Sequence, residues 1–134
     1  KLFNGSTDAG TLAVDSDEEV VRGGVMDGLR ALGDPRGAAL ARQHTDYRFG
    51  RGGSQRMRKS ALDTAMMLAP DAPETRAFLV DLLSDPHPSM REWAAAACGT
   101  WEVREARPAL ERMLADDLHG GPREAARRAL ERLR

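Results

Sequence analysis

The sequence is poor in the residue types that most often announce a chemistry. Its single cysteine, Cys98, excludes an internal disulfide framework and a cysteine-built zinc site. Aromatic residues make up only 4% of the chain, too few for a β-sandwich core or a surface that stacks bases. No apolar run reaches the roughly 18 residues that a membrane-spanning helix needs. No signal peptide is visible, so the expected compartment is the cytoplasm, without membrane association. The formal net charge is -1, so no global field steers the chain towards nucleic acid. Lysine is nearly missing: 18 of the 20 basic residues are arginine, as a GC-rich gene would produce. The three histidines, His44, His87 and His119, stand far apart and form no His-x-x-x-His pair on a helix, the usual zinc signature.

Alanine, leucine, arginine and glycine fill the places left open. Apolar residues account for 41% and charged residues for 31% of the 134 positions, a globular rather than a disordered balance. Apart from glycine, the abundant types favour helix, and β-branched residues are few. The composition predicts an all-α chain.

An internal repeat organises those helices. Segments beginning at Arg22, Arg58, Arg91 and Arg123 align without gaps, and their anchors lie 36, 33 and 32 residues apart. One helix–turn–helix unit fits that period. Three residues after each anchor stand Val25, Ala61, Ala94 and Ala126; seven after, Leu29, Ala65, Cys98 and Leu130; ten after, Leu32, Leu68, Trp101 and Leu133. Offsets of three, seven and ten share one face of an α-helix, so these columns are the expected core. Cys98 is accordingly expected to be a small buried residue, since a nucleophile needs exposure and a depressed pKa.

Between anchored helices lie partner helices with their own stripes: Ala38, Leu40 and Ala41; Phe78, Leu79, Leu82 and Leu83; Leu110, Met113 and Leu114. Proline, glycine and aspartate clusters separate them. The pattern predicts seven helices, about three and a half pairs, near Glu18–Leu32, Pro35–His44, Gln55–Leu68, Pro73–Leu83, Ser89–Trp101, Ala106–Leu114 and Pro122–Leu133. Residues 1–14 read as a loop or frayed terminus, and 15–134 as one α-α superhelical solenoid. The start at Lys1 rather than methionine suggests a piece of a longer chain.

Asp85-Pro86-His87-Pro88-Ser89-Met90-Arg91-Glu92-Trp93-Ala94-Ala95-Ala96, with its aspartate–proline turn, anchor arginine and alanine pairs, resembles HEAT repeats of the short, lyase-like kind. The resemblance spans residues 15–134 and implies a solenoid that binds a protein or peptide. In such repeats the anchor arginine pairs with the aspartate of a neighbouring turn, and Asp17, Asp85 and Asp117 stand near enough in sequence. A narrower resemblance attaches to Glu19–Arg36 and to Thr45-Asp46-Tyr47-Arg48-Phe49-Gly50, which are similar to the C-terminal helical region of bacterial gluzincin-type zinc aminopeptidases. It implies that this chain packs against, and closes over, an upstream catalytic domain that holds the zinc. The chain itself lacks His-Glu-x-x-His and Gly-x-Met-Glu-Asn, so no catalytic, cofactor or metal residue carries over, and no cofactor is expected here.

The residues outside the repeat logic are few. His87 and His119 each precede an anchor by four residues, at the predicted start of a helix, where a capping or turn role outweighs metal binding. His44 ends a helix, where a cation is favourable. The run Tyr47–Lys59 holds five basic residues and no acidic one. Arg48, Phe49, Arg51, Arg56 and Lys59 make it the candidate contact loop for an acidic surface, a carboxylate or a phosphate, although a solvated insertion has the same composition. It lacks the Gly-Lys-Ser/Thr ending of a phosphate-binding loop. Asn4-Gly5-Ser6 matches a glycosylation sequon that the expected compartment leaves unused. Beyond the self-partner reading stand a free-standing interaction adaptor, a homodimer formed through the open first repeat (Val20, Val25 and Leu29), and a lyase or DNA-glycosylase-like repeat enzyme. The near-neutral charge and the placement of Trp101 in a core column argue against the enzyme, although Trp93 could face the surface.

Overall fold

The computed structural model describes residues 21, 23–45 and 55–134. Every regular element among them is helical, as composition and period predict. Contacts gather the chain into two compact units that divide between Leu68 and Ala69. The predicted 1–14 segment and the anchor Arg22 lie outside the described residues.

In the first unit, helix α1 covers residues 23–32 and ends at Gly33, whose φ of +66° is left-handed. Gly33 N–H donates to the Leu29 carbonyl at 3.1 Å, closing the helix in the conformation that glycine adopts without strain. The Asp34 carboxylate then accepts from the Arg36 backbone N–H at 2.9 Å and caps a short 3₁₀ turn, Pro35–Gly37. Helix α2, Ala38–Gln43, comes directly after it. Gly37 has little room: a Cβ there would lie 2.8 Å from Leu29 Cδ2 and 3.3 Å from Leu68 Cδ1. Helix α3, Gln55–Leu68, buries Met57, Ala61, Leu62, Ala65, Met66 and Leu68. Arg30 of α1 ties the two anchored helices together: it donates to Thr64 Oγ1 at 2.5 Å and Ser60 Oγ at 3.2 Å while pairing with Asp27.

The second unit holds α4, Pro73–Leu82; α5, Pro88–Thr100; α6, Arg107–Asp116; and α7, Gly120–Arg132. Proline at the first turn of α4, α5 and α6 sits where its missing N–H costs nothing. The most extensive packing is between the anchored helices α5 and α7, along a seam of small residues: Ala94, Cys98 and Gly99 on one side, Ala126 and Ala129 on the other, all essentially inaccessible. A Cβ at Gly99 would lie 3.0 Å from Ala129 Cα, so the two backbones approach as closely as glycine permits. The seam closes at one end around Gly99 and Ala129, and at the other around Glu92 and Gly121. The two helices therefore run parallel, as equivalent elements of successive repeats should.

Helix α5 ends in a Schellman motif. Val103 N–H donates to the Cys98 carbonyl at 2.9 Å and Glu102 N–H to the Gly99 carbonyl at 3.3 Å, and Val103, at the position where this motif favours an apolar residue, is fully buried. The left-handed position is occupied by Glu102, at φ +53°. A 3₁₀ turn, Arg104–Ala106, then leads into α6. Arg104 and Arg107 both donate to the Leu133 carbonyl, at 2.9 and 2.7 Å, satisfying an acceptor that the end of α7 leaves open.

Several expectations are corrected. Leu40 and Leu114, placed in buried stripes, are exposed, and the helices predicted at Pro35–His44 and Ala106–Leu114 each have a 3₁₀ entry. Ala38, Ala41, Leu110 and Met113 of the same stripes are buried, so the stripes are narrower than expected: Leu40 and Leu114 each stand about 100° round the helix from the buried residue next to them. The column ten residues after each anchor is not uniform: Leu68 and Leu133 are buried, whereas Leu32 and Trp101 are 79% and 37% exposed. That column falls at the end of the helix, where the backbone departs from helical geometry and a fixed offset no longer fixes the direction of a side chain. Helix α7 starts at Gly120 rather than Pro122, because the Asp117 carboxylate accepts from His119 N–H at 2.9 Å and organises the turn before it.

Candidate functional site

The anchor arginines serve the turns between helices. Arg91 makes a bidentate pair with the Asp117 carboxylate, Nε to Oδ2 at 2.8 Å and one terminal nitrogen to Oδ1 at 3.1 Å. Its other terminal nitrogen donates to the carbonyls of Asp85 and Pro86 at 3.0 and 3.2 Å. Asp117 is thereby held below the ordinary carboxylate range, first by Arg91 and then by the His119 N–H. Arg123 repeats one of these bonds, donating to the Asp117 carbonyl at 2.6 Å. Arg58 is buried and donates to the Thr45 carbonyl at 2.7 Å and to Gln55 Oε1 at 2.9 Å. These guanidiniums stitch turns to helices, so the expected pairing of anchor with neighbouring aspartate holds for Arg91 and Asp117.

His87 and His119 occupy the N-cap positions of α5 and α7, but neither imidazole caps its helix. The capping is done two residues earlier, by Asp85 Oδ2 on His87 N–H at 2.9 Å and by Asp117 on His119 N–H. The His119 ring instead lies 3.1 Å from the Arg91 guanidinium, and His87 Nδ1 is buried without a hydrogen-bond partner. His44 is the C-cap of α2. Among the described residues no three histidine, cysteine, aspartate or glutamate side chains cluster as metal ligands would. Cys98 is fully buried, and its thiol is pushed up to about 12, chiefly by burial and then by the Glu105 charge. A thiol in that state is not a nucleophile at neutral pH.

Of the candidate contact loop, Arg48, Phe49 and Arg51 lie outside the described residues. Arg56 is exposed on the first turn of α3, and Lys59 pairs with Asp63 at 3.0 Å.

A different site emerges on the open side of the α5–α7 seam. There a groove of about 440 Å³ is lined by α5 and α7 alone. Its floor is Trp93, Ala96, Gly99, Ala125 and Ala129, and its rim carries Glu92, Glu124, Arg128 and Arg132. Glu124 is held at about 2 by hydrogen bonds from Arg127 and Arg128, so it and Arg128 are mutually neutralised. None of these residues forms a recognisable motif. The signal was nevertheless in the register: eight of the eleven lining residues fall one, two, five and nine positions after the anchors, pairing Glu92 with Glu124, Trp93 with Ala125, Ala96 with Arg128 and Thr100 with Arg132. These columns lie across the helix from the core columns at offsets three, seven and ten.

Helix pairs joined by aspartate turns, with their anchored helices packed side by side, define an α-α repeat protein. The chain belongs to the HEAT-repeat family: the family model described as HEAT repeats matches residues 51–131, more than half of the chain. No curated protein and no solved structure matches it. No helix among the described residues is long and apolar enough to cross a membrane.

Proposed function

We propose that this chain is a non-catalytic binding scaffold that holds a protein or peptide partner on the face formed by α5 and α7. The observation that carries this reading is the groove, where two equivalent helices present matching columns to solvent while the opposite columns form the core. Repeat stacks characteristically use such continuous surfaces for binding. A photo-crosslinking amino acid in place of exposed Ala96, in the groove, should capture a partner in the source cell. The same group in place of exposed Ala77, on α4, should not. Equal capture from both positions would defeat the assignment of the face.

A more specific form of the same reading places the scaffold at the C-terminal end of a bacterial cytoplasmic zinc aminopeptidase, with the upstream catalytic domain as its partner and the zinc held there. It is supported by the resemblance of Glu19–Arg36 and Thr45–Gly50 to that region. It is also supported by Val21 and Leu32, apolar residues 65% and 79% exposed, which a covering domain or a second copy would bury. An open reading frame running upstream in phase through His-Glu-x-x-His is the expected result. A frame without that motif removes the aminopeptidase and leaves the free-standing adaptor.

A further inference from the structure

The rim charges of the α5–α7 groove are not equivalent. Glu124 is saturated by Arg127 and Arg128, and Arg127 also holds Glu131 at 2.6 Å. Two charges remain without an ion-pair partner among the described residues, and they stand at opposite ends. Glu92 lies against the first turn of α7, where its carboxylate occupies the space that a side chain at Gly121 would need. Arg132 lays its stem over the other end, with Cδ 3.4 Å from where a Gly99 Cβ would be. Between them the floor is apolar, with one aromatic side chain, Trp93.

From the level of Glu92 to that of Gly99 is seven helical residues, about 10 Å at 1.5 Å per residue. A peptide in the extended polyproline II conformation, rising about 3.1 Å per residue with three residues per turn, covers that distance in about three residues and points side chains three apart to the same side. With two glutamates and two arginines on the rim, the groove offers a polyanion no net attraction, which disfavours nucleic acid.

We infer that the groove takes an extended segment of a partner protein in which a lysine or arginine and an aspartate or glutamate stand about three residues apart, flanking apolar side chains. The basic residue pairs with Glu92, the acidic residue pairs with Arg132, and the apolar side chains between them rest on Trp93 and the alanines. This inference rests on the reading of the α5–α7 face as the binding surface.

The probes are three labelled peptides of equal length with a common Leu-Ala centre: one bears lysine and glutamate at the flanking positions, one two lysines, one two glutamates. Fluorescence anisotropy with the full chain should rank the mixed peptide at least tenfold tighter than either like-charged one. Glu92→Lys should transfer the preference to the two-glutamate peptide, and Arg132→Glu to the two-lysine peptide. Because Glu92 borders the start of α7, circular dichroism must show each variant folded. Ala96→Gln, an uncharged change at an exposed position that narrows the groove, serves as a second variant and should weaken the mixed peptide about tenfold. Equal binding of all three peptides by the unmodified chain overturns the inference, as does a preference that neither charge reversal moves or Ala96→Gln leaves untouched. Partner capture from Ala96 without peptide discrimination sinks this inference alone, whereas loss of both sinks the binding face as well.

Discussion

The joint after α1 and the joint after α5 perform the same task with different means. Gly33 and Glu102 both stand eleven residues after their anchors, both are left-handed, and both lead into a 3₁₀ turn and a partner helix. After α1 the joint is local. Glycine takes the left-handed position without strain, and Asp34 caps the next turn while pairing with Arg36 two residues on. After α5 the joint depends on a residue distant in sequence. Arg76, on α4, donates to the Glu102 carbonyl at 3.1 Å and grips the Glu105 carboxylate through two bonds of 2.6 and 2.8 Å. A conformation that costs a non-glycine residue about 1 kcal/mol is thus held by tertiary contacts. One repeat carries the instruction in its own sequence, whereas the other takes it from its neighbour.

The largest expected consequence is an asymmetry between two arginines. Arg76→Ala should lower the unfolding free energy by about 2 kcal/mol, because it strips the Glu102 carbonyl and the Glu105 carboxylate of their donor. Arg36→Ala, at a guanidinium 91% exposed, should leave it almost unchanged, since solvent screens that pair. Urea melts of both variants test this, and equal losses would dissolve the distinction between the joints.

A smaller effect should carry opposite signs at the two left-handed positions. Gly33→Ala forces a Cβ into that region and should destabilise by about 1 kcal/mol. Glu102→Gly relieves the same strain and should stabilise by a few tenths to about 1 kcal/mol. Destabilisation by Glu102→Gly would show that its pair with Arg104, at 3.3 Å, matters more than the backbone.

The smallest effect is on pH. Arg76 holds Glu105 at about 2, below its ordinary 4.5. A carboxylate depressed in the folded state contributes stability that is present in full above its unfolded pKa and is lost as pH falls through the folded one. Stability should therefore drop between roughly pH 4.5 and 2, and Arg76→Ala should flatten the part of that drop due to Glu105. The glutamate is half exposed, so solvent screening keeps the contribution small. An unchanged profile in the variant would assign the acid sensitivity to other carboxylates such as Asp117.

The contrast between joints also marks what could be read in advance. The helices among the described residues, the anchor period and the small-residue columns were legible because they depend on spacing, and Gln55–Leu68 matches its expected bounds. Asp117 as the partner of Arg91 was legible through the family resemblance. Arg76 was not, because nothing in Glu74-Thr75-Arg76-Ala77 tells a clamp from a solvated cation. The groove was hidden for a related reason: attention falls on columns of like residues, whereas Trp93 and Ala125, or Ala96 and Arg128, share a column without sharing a chemistry. Trp101 misled because its offset of ten from Arg91 put it in a core column, although it stands at the C-cap, where the helix has ended.

The lone thiol in the α5–α7 seam makes a built-in chemical stopwatch. Cys98 is sealed between helices and protonated well above neutrality, so an alkylating reagent can reach it only in molecules whose seam has come apart. With no second cysteine to confuse the signal, the labelling rate counts those openings directly, in dilute buffer or in a crowded cell extract, without a probe being engineered into the chain.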